Sequence, residues 1–414
     1  MKKLSNEELL QLSSEIEEEL LPAYRKIDEV ALYNTNKVLK SFIGNRVSDN
    51  CFSGSTGYGY DDYGRETIEK IYSEVFGAEA ALVRTGFVNG THAIATAIFA
   101  AVNPGEILLS VTGLPYDTLR RTIGIGSSEY GSLKYYGIGY SQVDLKGGNI
   151  DYDSIEKEIK NRKISAVFLQ RSRGYEDRRA LTVNEISAVC AFVKDRRPDI
   201  RIIVDNCYGE FTEKEEPTSA GADIMAGSLI KNPGGGLAVG GAYIAGTKEL
   251  IDRAAARMTC PGIGGECGTT YGTSRMIYQG FFTAPHTVAQ ALKTACFCAA
   301  LCEKAEIDTS PASSSERSDV IQMINFGNRA AMEAFCRGIQ SGSPVDSYAV
   351  PVGSPMPGYD CDVIMAAGTF IQGSTSELSA DGRLQEPYTV YVQGGLTYEA
   401  GKLGILSAFR ELMK

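Results

Sequence analysis

Residues 201–246 read RIIVDNCYGEFTEKEEPTSAGADIMAGSLIKNPGGGLAVGGAYIAG. Three short apolar runs, RIIVDN, DIMAGSLIK and GGAYIAG, are bounded by glycine, proline, asparagine or acidic residues, which is the signature of buried strands. Polar residues stand where the first two runs end. Asp205 leaves the C-terminal end of the first strand, and Lys231 follows the second, 26 positions later (231 minus 205). In open parallel sheets ligands bind beyond the carboxyl ends of strands, so both side chains are expected at one crevice.

The same alternation extends outward. AALVRTG, EILLSVTG and SAVFLQRS read as strands, and THAIATAIFAAV, YDTLRRTIG and VNEISAVCAFVKDR as helices. Short apolar β-rich runs alternating with helices predict an α/β fold, a mostly parallel, doubly wound sheet with helices on both faces. This large domain is expected over residues 60–285. Ahead of it, the spacing of Leu9, Leu10, Leu12, Ile16 and Leu20 predicts two amphipathic helices, 5–20 and 22–43, in an N-terminal arm over 1–59. The Gly- and Tyr-rich segment SGSTGYGYDDYGRE reads as a loop before the helix ETIEKIYSEVFG. After a long helix at 286–305, Ser- and Pro-rich stretches separate a helix near 318–338 from strands in CDVIMAAGTFIQG and YTVYVQGG. Residues 286–414 are thus expected to hold an interdomain helix and a smaller α+β domain.

Composition narrows the partners. The chain has 414 residues, more than a single core of about 250–300 residues accommodates. A net charge of -10 argues against nucleic acid or an anionic membrane surface, and a small-molecule substrate is expected. No apolar run approaches the roughly 20 residues that span a bilayer, and the opening MKKLSNEELLQLSSEIEEELL lacks the apolar core of a secretory signal, so a cytoplasmic protein is expected. The ten cysteines show no paired CxxC spacing, and Cys296, Cys298 and Cys302 share a helical run in which thiols pack as small hydrophobes. With His92 and His286 as the two histidines, a histidine-rich metal site is excluded, and no metal is expected.

The pair Asp205 and Lys231 suits pyridoxal 5′-phosphate (PLP). A lysine amine forms a Schiff base with its aldehyde, and a carboxylate keeps its pyridine nitrogen protonated so that the ring absorbs carbanion charge. Taken singly, the two residues also read as a strand-end aspartate in a turn and a solvated lysine. In ALVRTGFVNGTHAIATAIF a strand breaks at Gly86 and a helix begins at Asn89-Gly90-Thr91, so free N–H groups and the positive helix end offer a phosphate site. Asn89 equally reads as a plain N-cap. Ser228, three residues before Lys231, offers a further hydroxyl to that phosphate. Tyr116, at the end of the next strand, is placed to stack on a cofactor ring or to cap the sheet.

These motifs, in the order phosphate loop, aromatic, QRSRGY, VDNCYGEF and SLIKNPGGG, resemble the fold-type I PLP enzymes of the cystathionine and methionine γ-lyase group. Together with TGYGYDDYGRE, PYDTL and QGGLTYE they most resemble the aluminium-resistance proteins of that group, over nearly the whole chain. The resemblance implies a PLP-dependent transferase-like fold with a seven-stranded type of sheet. It makes Lys231 the Schiff-base lysine, Asp205 the pyridinium partner, Ser228 a phosphate ligand and Tyr116 the stacking tyrosine and acid. Gly90 and Thr91 fall where the phosphate loop caps its helix. Arg173 replaces an asparagine that those enzymes place near the ring hydroxyl. Tyr58, Tyr60 and Arg65 lie in the segment that reaches a neighbouring subunit's phosphate, implying a homodimer or homotetramer with shared sites. Arg383, Arg171 and Arg173 are candidates to grip the substrate's α-carboxylate. The implied activity is carbon–sulfur β- or γ-elimination from a sulfur amino acid. Aldol cleavage, transamination or decarboxylation on the same residues, and a non-catalytic metal-tolerance role, stand as alternatives.

Overall fold

The computed structural model describes residues 5–58, 61–126, 129–356 and 361–414. The chain begins with α1 (Asn6–Gly44), opened by a capping box between Ser5 and Glu8. It is one helix, where two had been expected from the sequence. Pro22 lies inside it, and the lost hydrogen bond is offset by burial of Leu9, Ile16, Leu20 and Tyr24 on the flank of the small domain.

The large domain follows. Its strands are β1 (Ala80–Arg84), β2 (Ile107–Ser110), β3 (Gly139–Gln142), β4 (Ile164–Gln170), β5 (Arg201–Asp205), β6 (Ile224–Ser228) and β7 (Ala242–Gly246). They form one seven-stranded sheet in the order β1-β7-β6-β5-β4-β2-β3, parallel from β3 to β6, with β7 antiparallel to both neighbours. Helices cover both faces: α2 (Tyr63–Phe76), α3 (Gly90–Ala101), α4 (Asp117–Ile123), α5 (Tyr152–Glu158), α6 (Val183–Arg196) and α7 (Lys248–Met258).

Strand alternation feeds two cores. Val83, Leu109, Val167, Val204 and Met225 join one core with α2 and α6, while Leu82, Leu108, Phe168, Ile203 and Ala226 join the other with α3, α4 and α7. The parity continues to the strand ends. Gln170, Asp205 and Ser228 stand two residues after Phe168, Ile203 and Ala226, so all three fall on the α3 side of the sheet.

The helix α8 (Ser274–Lys304) starts earlier than expected and runs through the predicted boundary at 285/286; Cys296, Cys298 and Cys302 are buried along it. The small domain carries β8 (Asp308–Ser310), β9 (Gln322–Asn325), α9 (Arg329–Ser341), β10 (Val363–Ala366), β11 (Ser379–Arg383), β12 (Thr389–Gln393) and α10 (Tyr398–Leu412). Its strands form an antiparallel sheet ordered β10-β11-β12-β9-β8. Part of the helix predicted at 318–338 is therefore strand β9: sheet pairing with β8 and β12 overrides the helical spacing there. Among the described residues no helix is long and apolar enough to cross a membrane.

Candidate active site

A cavity of about 340 Å³ opens beyond the carboxyl ends of β4, β5 and β6, between the two domains. Asp205, Ser228 and Lys231 line it together with Asn89, Gly90, Thr91 and Tyr116, so the two halves of the sequence constellation meet in one cleft.

One end of the cleft is built for an anion. Asn89 caps α3, its side chain accepting from His92 N at 2.9 Å. The N–H groups of Gly90 and Thr91 lie in the first turn and by position lack an intrahelical acceptor. Across from them the Ser228 hydroxyl is buried and has no hydrogen-bond partner among the described residues. A Cβ on Gly90 would stand 3.0 Å from Ser228 Cβ, so the glycine keeps the space between helix and strand open. An orphaned hydroxyl, a bare helix end and a gap that a methyl group would fill suit the phosphate of PLP.

The other end holds a carboxylate. Asp205 is 5% exposed, and Oδ1 accepts from Cys207 N at 3.1 Å. Burial lifts its pKa to about 6; the hydrogen bonds from Cys207 and the positive charge of Lys231 oppose the rise. A pyridinium beside it would supply the positive charge that its buried position lacks.

Lys231 lies between these ends. Its Nζ donates to Tyr208 Oη at 2.9 Å and sits 4.2 Å from the centre of that ring. Burial acts to lower the amine's pKa, yet Tyr208, Cys207 and Asp381 outweigh it, and the net direction is upward. Burial alone would lower it; the phenol, thiol and carboxylate that the fold gathers around the amine reverse the direction. The Tyr116 hydroxyl donates to Thr91 Oγ1 at 3.2 Å, and burial raises it well above the usual phenol range.

The arginines separate. Arg171, one residue past Gln170, faces the opposite way into a buried network with Asn206, Glu213 and Glu216 and is not among the residues lining the cleft. Arg173 donates to Ser310 O at 2.9 Å and Ser310 Oγ at 3.1 Å, so its guanidinium is spent on the small domain instead of the cleft. Arg383 on β11 does line the cleft and pairs with Asp117 at the start of α4. Arg65 is buried against the main-chain carbonyls of Glu266 and Gly268 in its own chain, Tyr58 is 89% exposed, and Tyr60 lies outside the described residues.

Three residues lining the cleft, Gln170, Tyr175 and Tyr208, and Asp381 behind Tyr175 are not identified by the sequence. Gln170 accepts from Tyr116 N, and Tyr175 Oη donates to Asp381 Oδ2 at 3.0 Å. Burial lifts Asp381 to about 6, with the bond from Tyr175 opposing. Tyr208 lies three residues after Asp205 in VDNCYGEF. Only Gln170 carried a signal, its position at the end of an apolar strand.

The sequence matches the methionine gamma-lyase family over residues 9–413. It is 48% identical over 414 residues to YnbB of Bacillus subtilis, covering 99% of this chain and 98% of that one. Among solved structures it superposes with a TM-score of 0.95 on a Listeria monocytogenes protein described as a candidate cystathionine beta-lyase involved in aluminum resistance, at 48% identity, covering 97% of this chain and 100% of that one. The fold is shared more distantly with the PLP-dependent protein YhfS of Escherichia coli, TM-score 0.61 at 16% identity, covering 92% and 95%. The chain belongs to the methionine gamma-lyase family, and with it to the PLP-dependent carbon–sulfur lyases.

Proposed function

We propose that the protein binds PLP through Lys231 and eliminates a thiol from the β- or γ-carbon of a sulfur-containing amino acid. The observation that carries this reading is the meeting of Lys231, Asp205 and the Ser228–α3 anion cradle in one cavity. Ser228 Oγ and the first N–H groups of α3 would hold the phosphate, Asp205 would stand against the ring nitrogen, and Lys231 would bond the aldehyde. When bound, the cofactor withdraws electrons from the substrate's α-carbon and so weakens its bonds.

The chain's own groups supply the rest. Lys231 Nζ is the base placed to carry the α-proton, and Tyr116 Oη, protonated because burial raises it, is a donor for a departing sulfur. Arg383 reaches the cleft from the small domain and offers a planar guanidinium to the α-carboxylate, with Asp117 as the partner it would share. A neighbouring copy is proposed to complete the site through the exposed Tyr58 segment, making the working unit at least a dimer.

The test is direct. Purified protein is incubated with PLP and a panel of cysteine, cystathionine and methionine derivatives, and 2-oxo acids and free thiols are quantified together. Stoichiometric release of both supports the reading; absence of both across the panel rejects it.

A further inference from the structure

Tyr208 stands in the cleft but has no part in the steps above. It follows Asp205 by three residues, and its backbone is left-handed, φ 71°. That conformation is uncommon for a large side chain and persists only where the surrounding fold imposes it. Here the turn after β5 is pinned by Gly209 N donating to Asn206 O and by Asn206 N donating to Ala226 O.

The consequence is that the phenol meets the lysine twice. Its oxygen takes the one hydrogen bond that the Lys231 amine donates among the described residues, at 2.9 Å, and its ring face lies 4.2 Å below the same nitrogen. The other phenols lining the cleft, Tyr116 and Tyr175, are engaged elsewhere, on Thr91 and on Asp381. The remaining titratable groups that act on the amine are Asp205 and Cys207 from the β5 end and Asp381 from β11.

We infer that Tyr208 is a positioning residue for Lys231: its hydroxyl and ring hold the amine at the cleft floor and set the proton affinity with which the lysine takes and returns a proton. Burial keeps the phenol protonated, with Lys231 opposing the rise. A protonated phenol accepts from an ammonium and donates to a free amine, so one residue serves both states of the lysine. The inference rests on the reading of Lys231 as the cofactor-bearing base.

The test is competitive labelling of the full-length protein with trace acetic anhydride across a pH series, the Lys231 peptide being quantified by mass spectrometry before and after PLP is added. Tyr208→Phe keeps the ring and removes the hydroxyl. It is expected to lower the labelling midpoint of Lys231 by about one pH unit, tenfold in proton affinity. Tyr208→Asn removes the ring as well, suits the left-handed backbone, and provides a folded protein should the Phe variant not accumulate. It is expected to lower the midpoint at least as far. Midpoints equal to wild type in both variants overturn the inference. Borohydride reduction of the PLP-loaded wild type reports separately whether Lys231 carries the cofactor. Its failure would remove the cofactor reading while the labelling midpoint still decides the role of Tyr208.

Discussion

At Ser228 a hydroxyl is buried without a partner among the described residues, and leaving such a group unpaired costs about 1–3 kcal/mol. Ser228→Ala removes that cost in the protein without PLP, so its unfolding midpoint is expected to stay level or rise. The same substitution removes a hydrogen bond to a charged phosphate, and the dissociation constant for PLP is expected to increase about tenfold, read by fluorescence titration. Opposite signs in the two measurements distinguish a ligand-binding serine from a packing one. Lys231→Ala is expected to abolish borohydride-fixed label and to lower turnover by about 10²–10⁴-fold, measured as thiol release. Asp205, Ser228 and Lys231 were legible because strand-end position follows from chain order. Arg171 and Arg173 were not, because strand parity and a partner 137 residues away, Ser310, decide where those guanidinium groups point.

The helix α3 shows how one element serves both fold and site. Asn89 closes its first turn, and Asn89→Ala is expected to cost about 1 kcal/mol of stability, measured by denaturant unfolding, together with weaker PLP binding. Its apolar face, Ala93, Ile94, Ala97 and Ile98, seats the helix against the sheet so that its N-terminus points into the cleft. That helix, and the strands that flank it, were readable from periodicity. Two other elements were not. The two helices expected at 5–20 and 22–43 are one helix α1 with Pro22 inside it, because packing along one face outweighs one lost hydrogen bond. The start of the helix expected at 318–338 became β9, because a strand's pairing partners come from distant sequence, here Asp308–Ser310 and Thr389–Val392.

Across the whole molecule the two domains meet at the cleft through Arg383 with Asp117 and Tyr175 with Asp381. Arg383→Lys loses the planar fork, so KM for the accepted amino acid is expected to rise about tenfold with a smaller change in kcat, measured by initial rates. Beneath the cleft, Glu210 accepts from Tyr243 Oη at 2.9 Å and burial lifts it from 4.5 to about 8. The folded protein therefore keeps a proton that the unfolded chain releases above pH 4.5. The stability from that proton is fully present below pH 4.5 and is lost as pH rises through about 8, at no more than about 1.4 kcal/mol per pH unit. Glu210→Gln is expected to flatten the thermal midpoint across that window, measured by calorimetry at matched ionic strength.

The alternation of strands and helices through most of the large domain, the strand-end aspartate and lysine, and the glycine at the helix start follow from sequence alone, because burial patterns and strand-end positions are local properties of the chain. Which arginine faces the cleft, which phenol touches the lysine, and the direction in which that lysine's proton affinity moves were decided by tertiary structure. Those outcomes depend on side chains brought within about 3–4 Å from distant positions, where a hydrogen bond or a buried charge outweighs any local preference.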